Sequence, residues 1–237
     1  MVMRRLILLL AGLLPSLSTA ALELDRYRID IAARPGHAAL WLHNADAQGW
    51  QGQARLYRWQ QSQDGEQLVE ATDMAVSPAR LDIAPGQGQR LRVVRLDASP
   101  REVFQAYRLV LSPNPGSALS SPRISLPVFV FTGDGPAPPP RLWVSASTEG
   151  DAVMLHNDGD GPARLAELTF IGADGQAHLI WPGLAGYVLP HQTRRWALPA
   201  RPDRYVGGRF QARLQDQAAT LLPYAAPQIA ATTEGGL

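Results

Sequence analysis

Apolar and polar residues alternate over short runs along most of this chain. Examples are Tyr27-Arg28-Ile29-Asp30-Ile31, Ala39-Leu40-Trp41-Leu42, Arg55-Leu56-Tyr57-Arg58-Trp59 and Ala106-Tyr107-Arg108-Leu109-Val110-Leu111. A period of two is that of a strand with one buried face. Turn formers separate the runs: Arg34-Pro35-Gly36, Gln63-Asp64-Gly65 and Ala84-Pro85-Gly86. No window longer than a few residues carries a helical period. Short strands at this spacing predict an all-β protein.

Two stretches stand out. In Ser77–Leu96 the phase from Gln89 puts Leu91 and Val93 on one face of a strand and Arg90 and Arg92 on the other. Arg123–Phe131, RISLPVFVF, is instead apolar at nearly every position. At Thr132–Pro140 the text changes to TGDGPAPPP, an extended, semi-rigid connector that cannot continue a central strand. Beyond it the strand texture resumes at Leu142–Ser145, Ala152–Leu155, Leu165–Ile171, Arg195–Leu198 and Phe210–Leu214. The expected organisation is two β-sandwiches, residues 21–131 and a smaller one at 141–237, joined by a linker at 132–140. The tail from Ala225 is poor in apolar residues and is expected to fray.

The N-terminus has the pattern of a secretory signal. Arg4 and Arg5 precede the apolar run Leu6–Leu14, and Ser18-Thr19-Ala20 supplies small residues for cleavage. The run is short for a membrane span. Export with cleavage after Ala20, or after Ala21, and no stable membrane insertion afterwards is therefore expected. The chain has no cysteine, so stability must come from burial, and its length suffices for two cores. Its formal net charge of +1 gives no electrostatic support for a nucleic-acid partner. All 22 basic side chains counted with lysine are arginine, so any anion site must use planar, bidentate guanidinium groups.

Catalytic patterns are missing. The five histidines, at 37, 43, 156, 178 and 191, show no ligand spacing, so neither a metal nor a cofactor is expected. His156-Asn157-Asp158-Gly159-Asp160-Gly161 lacks the downstream glutamate of a calcium loop and reads as a tight turn. Gly86-Gln87-Gly88 precedes no helix and is no phosphate cradle. No serine sits in a nucleophile elbow. These features argue against an enzyme. Trp41, Trp59 and Trp143 lie in alternating runs and are assigned to the core.

An ordered series of blocks resembles the periplasmic pilus (fimbrial) chaperones of the chaperone–usher pathway. Leu24–Arg28 (LDRYR) resembles the family's first strand, Leu42–Asn44 (LHN) a strand ending in asparagine, and Ser77-Pro78 through Pro85–Arg95 its "SP…PG…Q..R" block. Glu102 with Tyr107-Arg108-Leu109 is similar to "E..YRL". Arg123–Val130 resembles the last strand of the first domain, in a form nearest the archaic, spore-coat-like branch. His156–Gly159 and Gly186-Tyr187-Val188-Leu189-Pro190 resemble second-domain blocks, with His191 where glycine is usual.

The resemblance implies two immunoglobulin-like domains and a function in the periplasm. The chaperone would complete incomplete pilin subunits by lending an edge strand, and pass them to an outer-membrane usher. The strand would run from Ser117 to Val128, with Leu119, Ile124, Leu126 and Val128 as apolar plugs. Arg28 matches the first anchor for the subunit's C-terminal carboxylate. Ser125 stands where many relatives carry a lysine, leaving Arg92, Arg95 or Arg123 for the second anchor. Arg92 and Glu102 match an interdomain ion pair. The alternative is a secreted two-domain adhesin or carbohydrate-binding module. A pilus subunit is a third reading, although such subunits commonly have one domain and a disulfide.

Overall fold

The computed structural model describes residues 22–96, 103–115, 122–133, 135–147, 149–215 and 217–224. The signal-like segment, Glu102, Leu119 and the tail from Ala225 lie outside them. All regular elements described are strands, and they form two immunoglobulin-like sandwiches.

Ten strands build the first sandwich: β1 (Leu22–Leu24), β2 (Ile29–Ile31), β3 (His37–Asn44), β4 (Trp50–Gln61), β5 (Glu66–Glu70), β6 (Met74–Ser77), β7 (Arg80–Ile83), β8 (Gly88–Arg95), β9 (Phe104–Pro113) and β10 (Ile124–Phe131). One sheet runs β1-β3-β8-β6; the other runs β2-β10-β9-β4-β5, with β7 also paired to β4. The chain entering at β1 crosses to the opposite sheet at β2, which lies parallel to β10. The other pairings in this sandwich are antiparallel. The core between the sheets holds Ile29, Leu40, Leu91, Val93, Tyr107, Leu109, Leu126 and Val128, among others. Leu91 and Val93 point inward and Arg90 and Arg92 outward, as the strand phase predicts.

The second sandwich has β11 (Leu142–Ala146), β12 (Ala152–Asn157), β13 (Ala163–Ile171), β14 (Ala177–Val188), β15 (Thr193–Ala197), β16 (Arg209–Leu214) and β17 (Ala219–Leu221). Its sheets run β11-β12-β15 and β14-β13-β16-β17. Strands β5 and β14 are absent from the sequence reading for a clear reason. Each is an edge strand with mostly exposed side chains, so neither carries a buried-face period. The described part of the Pro-rich connector lies directly on a turn of the second sandwich. A Cβ at Gly161 would fall 1.8 Å from the Pro138 carbonyl oxygen, so only glycine allows that approach.

The tryptophan assignment needs correction. Trp59 is buried, but Trp41 is 52% exposed. Trp143 is half-buried on the outer face of its sheet, stacked on His156 at 3.6 Å and donating to Asp158 Oδ2 at 2.7 Å. Alternation assigns a residue to one of two faces, and both tryptophans occupy the outer one.

Each sandwich contains one buried asparagine that ties its turns together. Asn44 Nδ2 donates to the carbonyls of Gln48 and Ile83 at 2.7 and 3.0 Å, while its Oδ1 accepts from Asp46 N–H. Asn157 Nδ2 donates to the carbonyls of Gly161 and Val188, and its Oδ1 accepts from the Arg141 and Gly159 amides. Truncation would strand buried carbonyls, each costing about 1–3 kcal/mol. Asn44→Ala is expected to lower the unfolding free energy by about 2–4 kcal/mol, measured by urea denaturation. A change within 0.5 kcal/mol would show that water replaces the side chain.

Candidate functional site: an arginine-lined cleft between the sandwiches

Strands β9 and β10 are buried on both faces, which explains the unbroken apolar run at Arg123–Phe131. Leu126, Val128 and Val130 enter the first core, while Phe129 and Phe131 point the other way. There they meet Trp59, Ala106, Tyr187 and Leu189 in a third apolar cluster shared by the two sandwiches. Trp59 stacks near Phe129 at 6.2 Å between centroids, and Tyr187 meets Trp59 edge-on at 5.8 Å. The strand pattern is that of a sheet covered on two sides.

Polar contacts fix this junction. Gln61 at the end of β4 donates to the Tyr187 carbonyl at 3.1 Å and accepts from Leu189 N–H at 2.9 Å. The hairpin between β4 and β5 docks through Arg195 N–H to the Gln63 carbonyl, 3.1 Å. Glu66 sits between Arg108 at 3.9 Å and Arg194 at 3.6 Å.

Cations gather around the aromatic cluster. The Arg108 guanidinium lies 3.6 Å from the Trp59 ring centroid, with its side chain 17% exposed. Burial pushes its pKa down, opposed by the charge of Glu66; at such a basic starting value it stays protonated. The Arg28 guanidinium is 4.9 Å from the Phe129 centroid, paired with Asp30 at 2.8 Å, and reaches Gln215 of the second sandwich at 3.4 Å. Burial pushes the Tyr187 phenol up, against the pull of Arg164, Arg108 and Arg28. Three arginines from three strand regions therefore converge on one phenol. Such a site suits a carboxylate, which guanidinium groups bind through paired hydrogen bonds.

Of the residues singled out as anchors, only Arg28 lies here. Arg92 is exposed on the outer face of β8, in the sheet remote from the cleft. Its expected place in an interdomain ion pair is thereby corrected, and Glu102 is outside the described residues. Arg123 is exposed beyond the start of β10. Six residues separate it from Phe129, about 20 Å of extended chain. Arg95 instead donates to the Ala33 carbonyl at 3.3 Å.

The donor assignment changes as well. Leu126 and Val128 are 2% and 0% exposed in the chain's own core, and Ile124 is half-buried against it. Leu126 and Val128 cannot fill a partner's groove while their own domain stays closed. Ser125 faces solvent. Arg108, Tyr187 and Glu66 were missed as site residues. The signal for Arg108 was its phase: in β9, Tyr107 and Leu109 enter the core, so Arg108 must point to the opposite face.

A cavity of about 640 Å³ adjoins the junction, bordered by Arg58, Trp59, Gln105, Leu189 and Gln192, among others. Beside it, Tyr107 O–H donates to Asp73 at 2.7 Å and Arg58 pairs with the same carboxylate.

Two immunoglobulin-like sandwiches that meet at an arginine-rich junction define a two-domain β-sandwich architecture. Residues 21–125 match the family of pili and flagellar-assembly chaperones, at its PapD N-terminal domain. A chain of the CsuC–CsuE chaperone–tip adhesion subunit pre-assembly complex, from the archaic chaperone-usher Csu pili of Acinetobacter baumannii, superposes with a TM-score of 0.68. Its identity is 19%, over 87% of this chain and 100% of that one. The Pseudomonas aeruginosa CupB2 chaperone gives 0.59 at 18% identity, over 84% and 97%. The periplasmic chaperone SfaE gives 0.63 at 12%, over 86% and 100%. At these identities the likeness is one of fold. No curated protein sequence matches the chain.

Two outcomes test the cleft. Gln61→Ala removes its two bonds to Tyr187 and Leu189 across the junction, and a loss of about 1–3 kcal/mol is expected. Calorimetry should then show the single transition broadening or splitting; an unchanged endotherm would mean that the apolar cluster and the remaining polar contacts hold the sandwiches without Gln61. Burial raises the Asp73 pKa, but the bonds from Tyr107 and Arg58 outweigh it, and the net shift is downward from 3.8. The native state therefore binds this proton less readily than the unfolded state. The carboxylate's contribution is complete above the ordinary carboxylate range and is lost as pH falls through the lower folded value. Asp73→Asn should flatten the acid limb of a stability–pH profile; an unaltered limb would assign it to other carboxylates.

Proposed function

We propose that this protein is a periplasmic chaperone that binds pilin subunits and presents them to an outer-membrane usher. The observation that carries this reading is the basic interdomain cleft on a chain whose first half matches the pili and flagellar-assembly chaperone family. The Salmonella enterica SafB chaperone, seen in complex with the SafA pilin, shares the fold with a TM-score of 0.59 at 15% identity.

In this reading the subunit's C-terminal carboxylate enters the cleft and is held by Arg28 and Arg108, with the Tyr187 hydroxyl beside them. Arg108 takes the role that the lysine-free composition denies to Ser125. The rigid Trp59 ring holds its guanidinium in one orientation, so little side-chain entropy remains to be lost on binding. Anchoring fixes the register of an added strand. Among the described residues, Ile124–Pro127 of β10 offer an edge for that purpose: β9 pairs with Ile124–Phe131, whereas β2 covers only Val128–Val130. The subunit would pair along Ile124–Pro127 and the residues before it. With Leu126 and Val128 turned inward, the lent apolar side chains come from the segment that includes Leu119, with Ile124 at its boundary.

The test is coexpression with a cognate pilin subunit and affinity recovery of the complex. A charge-assisted bond is worth about 1.5–3 kcal/mol, so Arg28→Ala and Arg108→Ala should each weaken recovery at least tenfold while leaving the free protein folded. Recovery that survives both changes would remove the anchor; failure of the unaltered protein to recover any subunit would remove the chaperone reading itself.

A further inference from the structure

The outer face of the β1-β3-β8-β6 sheet carries a second cationic feature, on a different sheet from the cleft. Trp41 on β3 lies directly across from Arg90 on β8, and Arg92 lies across from Ala39 on one side and Ser77 on the other. All three large side chains are exposed. Neither arginine has a carboxylate partner among the described residues, and no described guanidinium covers the Trp41 ring. The nearby acids are already engaged or distant. Asp25 accepts from the Trp41 amide at 3.0 Å and pairs with Arg26 at 2.9 Å, while Glu23 sits opposite His43 at the far end of the face. A flat, half-exposed indole thus stands beside two uncompensated guanidinium groups, with only small residues flanking the second.

We propose that this face docks an extended acidic segment of a partner polypeptide. Charge complementarity and spacing both lead to that occupant. Arg90 and Arg92 alternate along one strand and so stand about 7 Å apart. That is also the separation of same-face side chains in an extended chain, so carboxylates at every second position can meet both arginines in register. Each arginine can then form a bidentate pair. The Trp41 ring offers an apolar wall to the flanking side chains, and tryptophan with arginine is the combination that concentrates binding energy at protein interfaces. An anionic membrane would engage the same charges without regard to their spacing.

A fluorescently labelled, C-terminally amidated peptide with glutamate at every second position and valine between them tests this by anisotropy. Amidation removes the carboxylate that the cleft would bind, so the result is separable from the chaperone reading. Binding is expected, weakening with salt and at least tenfold weaker for Arg90→Ala combined with Arg92→Ala. It should be several-fold weaker for Trp41→Ala, and unchanged for Arg28→Ala and for Arg55→Ala, a charge-matched surface control. Arg92→Glu provides a second variant should the double change disturb folding, which a thermal melt checks. Equal binding of the glutamine version, of a peptide with its glutamates at every third position, or of all the variants would overturn the proposal. Capture by phosphatidylglycerol vesicles without peptide binding would reassign the face to a membrane surface.

Discussion

Everything at the cleft depends on one constraint: within the sheet formed by β2, β10, β9, β4 and β5, strands β9 and β10 are buried on both faces. Its inner face packs the first core through Leu109, Leu126 and Val128. Its outer face packs Trp59, Phe129 and Ala106 against Tyr187 and Leu189 of the second sandwich. An aromatic cluster of this kind does more than join two domains. It supplies a rigid, poorly hydrated floor on which charged groups can be held in place.

The cations occupy that floor in a way open to arginine. Arg108 lies over Trp59 and Arg28 near Phe129, each keeping donors free in the plane of the guanidinium. A lysine ammonium, compact and strongly hydrated, would stack less well and lose more on burial. Glu66 balances part of the charge from the rim, between Arg108 and Arg194. The cleft is thus held together by the same residues that give it its electrostatic character, and the composition without lysine is compatible with that arrangement.

Much of the fold was legible from alternation. The phase of Leu91 and Val93 against Arg90 and Arg92 was read directly, because a strand has only two faces. Arg28 could be placed through a block of residues near the start of the first sandwich. The same two-face rule misled where both faces are covered. Leu126 and Val128 looked like side chains for a partner, yet they serve the chain's own core, and it is Phe129 and Phe131 beyond them that face the second sandwich. Trp41 and Trp143 failed in the opposite direction, as large aromatics on faces that nothing described covers. Arg108 was hidden because a charged residue inside an apolar strand gains meaning only when its neighbours across the domain boundary are known.

By itself the sequence determined the elements that local physics dictates: β-strands from period two, turns from Pro-Gly and Asp-Gly pairs, and an anion chemistry restricted to guanidinium groups. Which face of each strand becomes core, cleft or open surface was decided by tertiary structure alone. The reason is geometric. Period two divides side chains into two sets, but only the packing of the sheets assigns those sets. Arg28, Arg108 and Tyr187, far apart in the chain, meet because two sandwiches close over a single aromatic cluster.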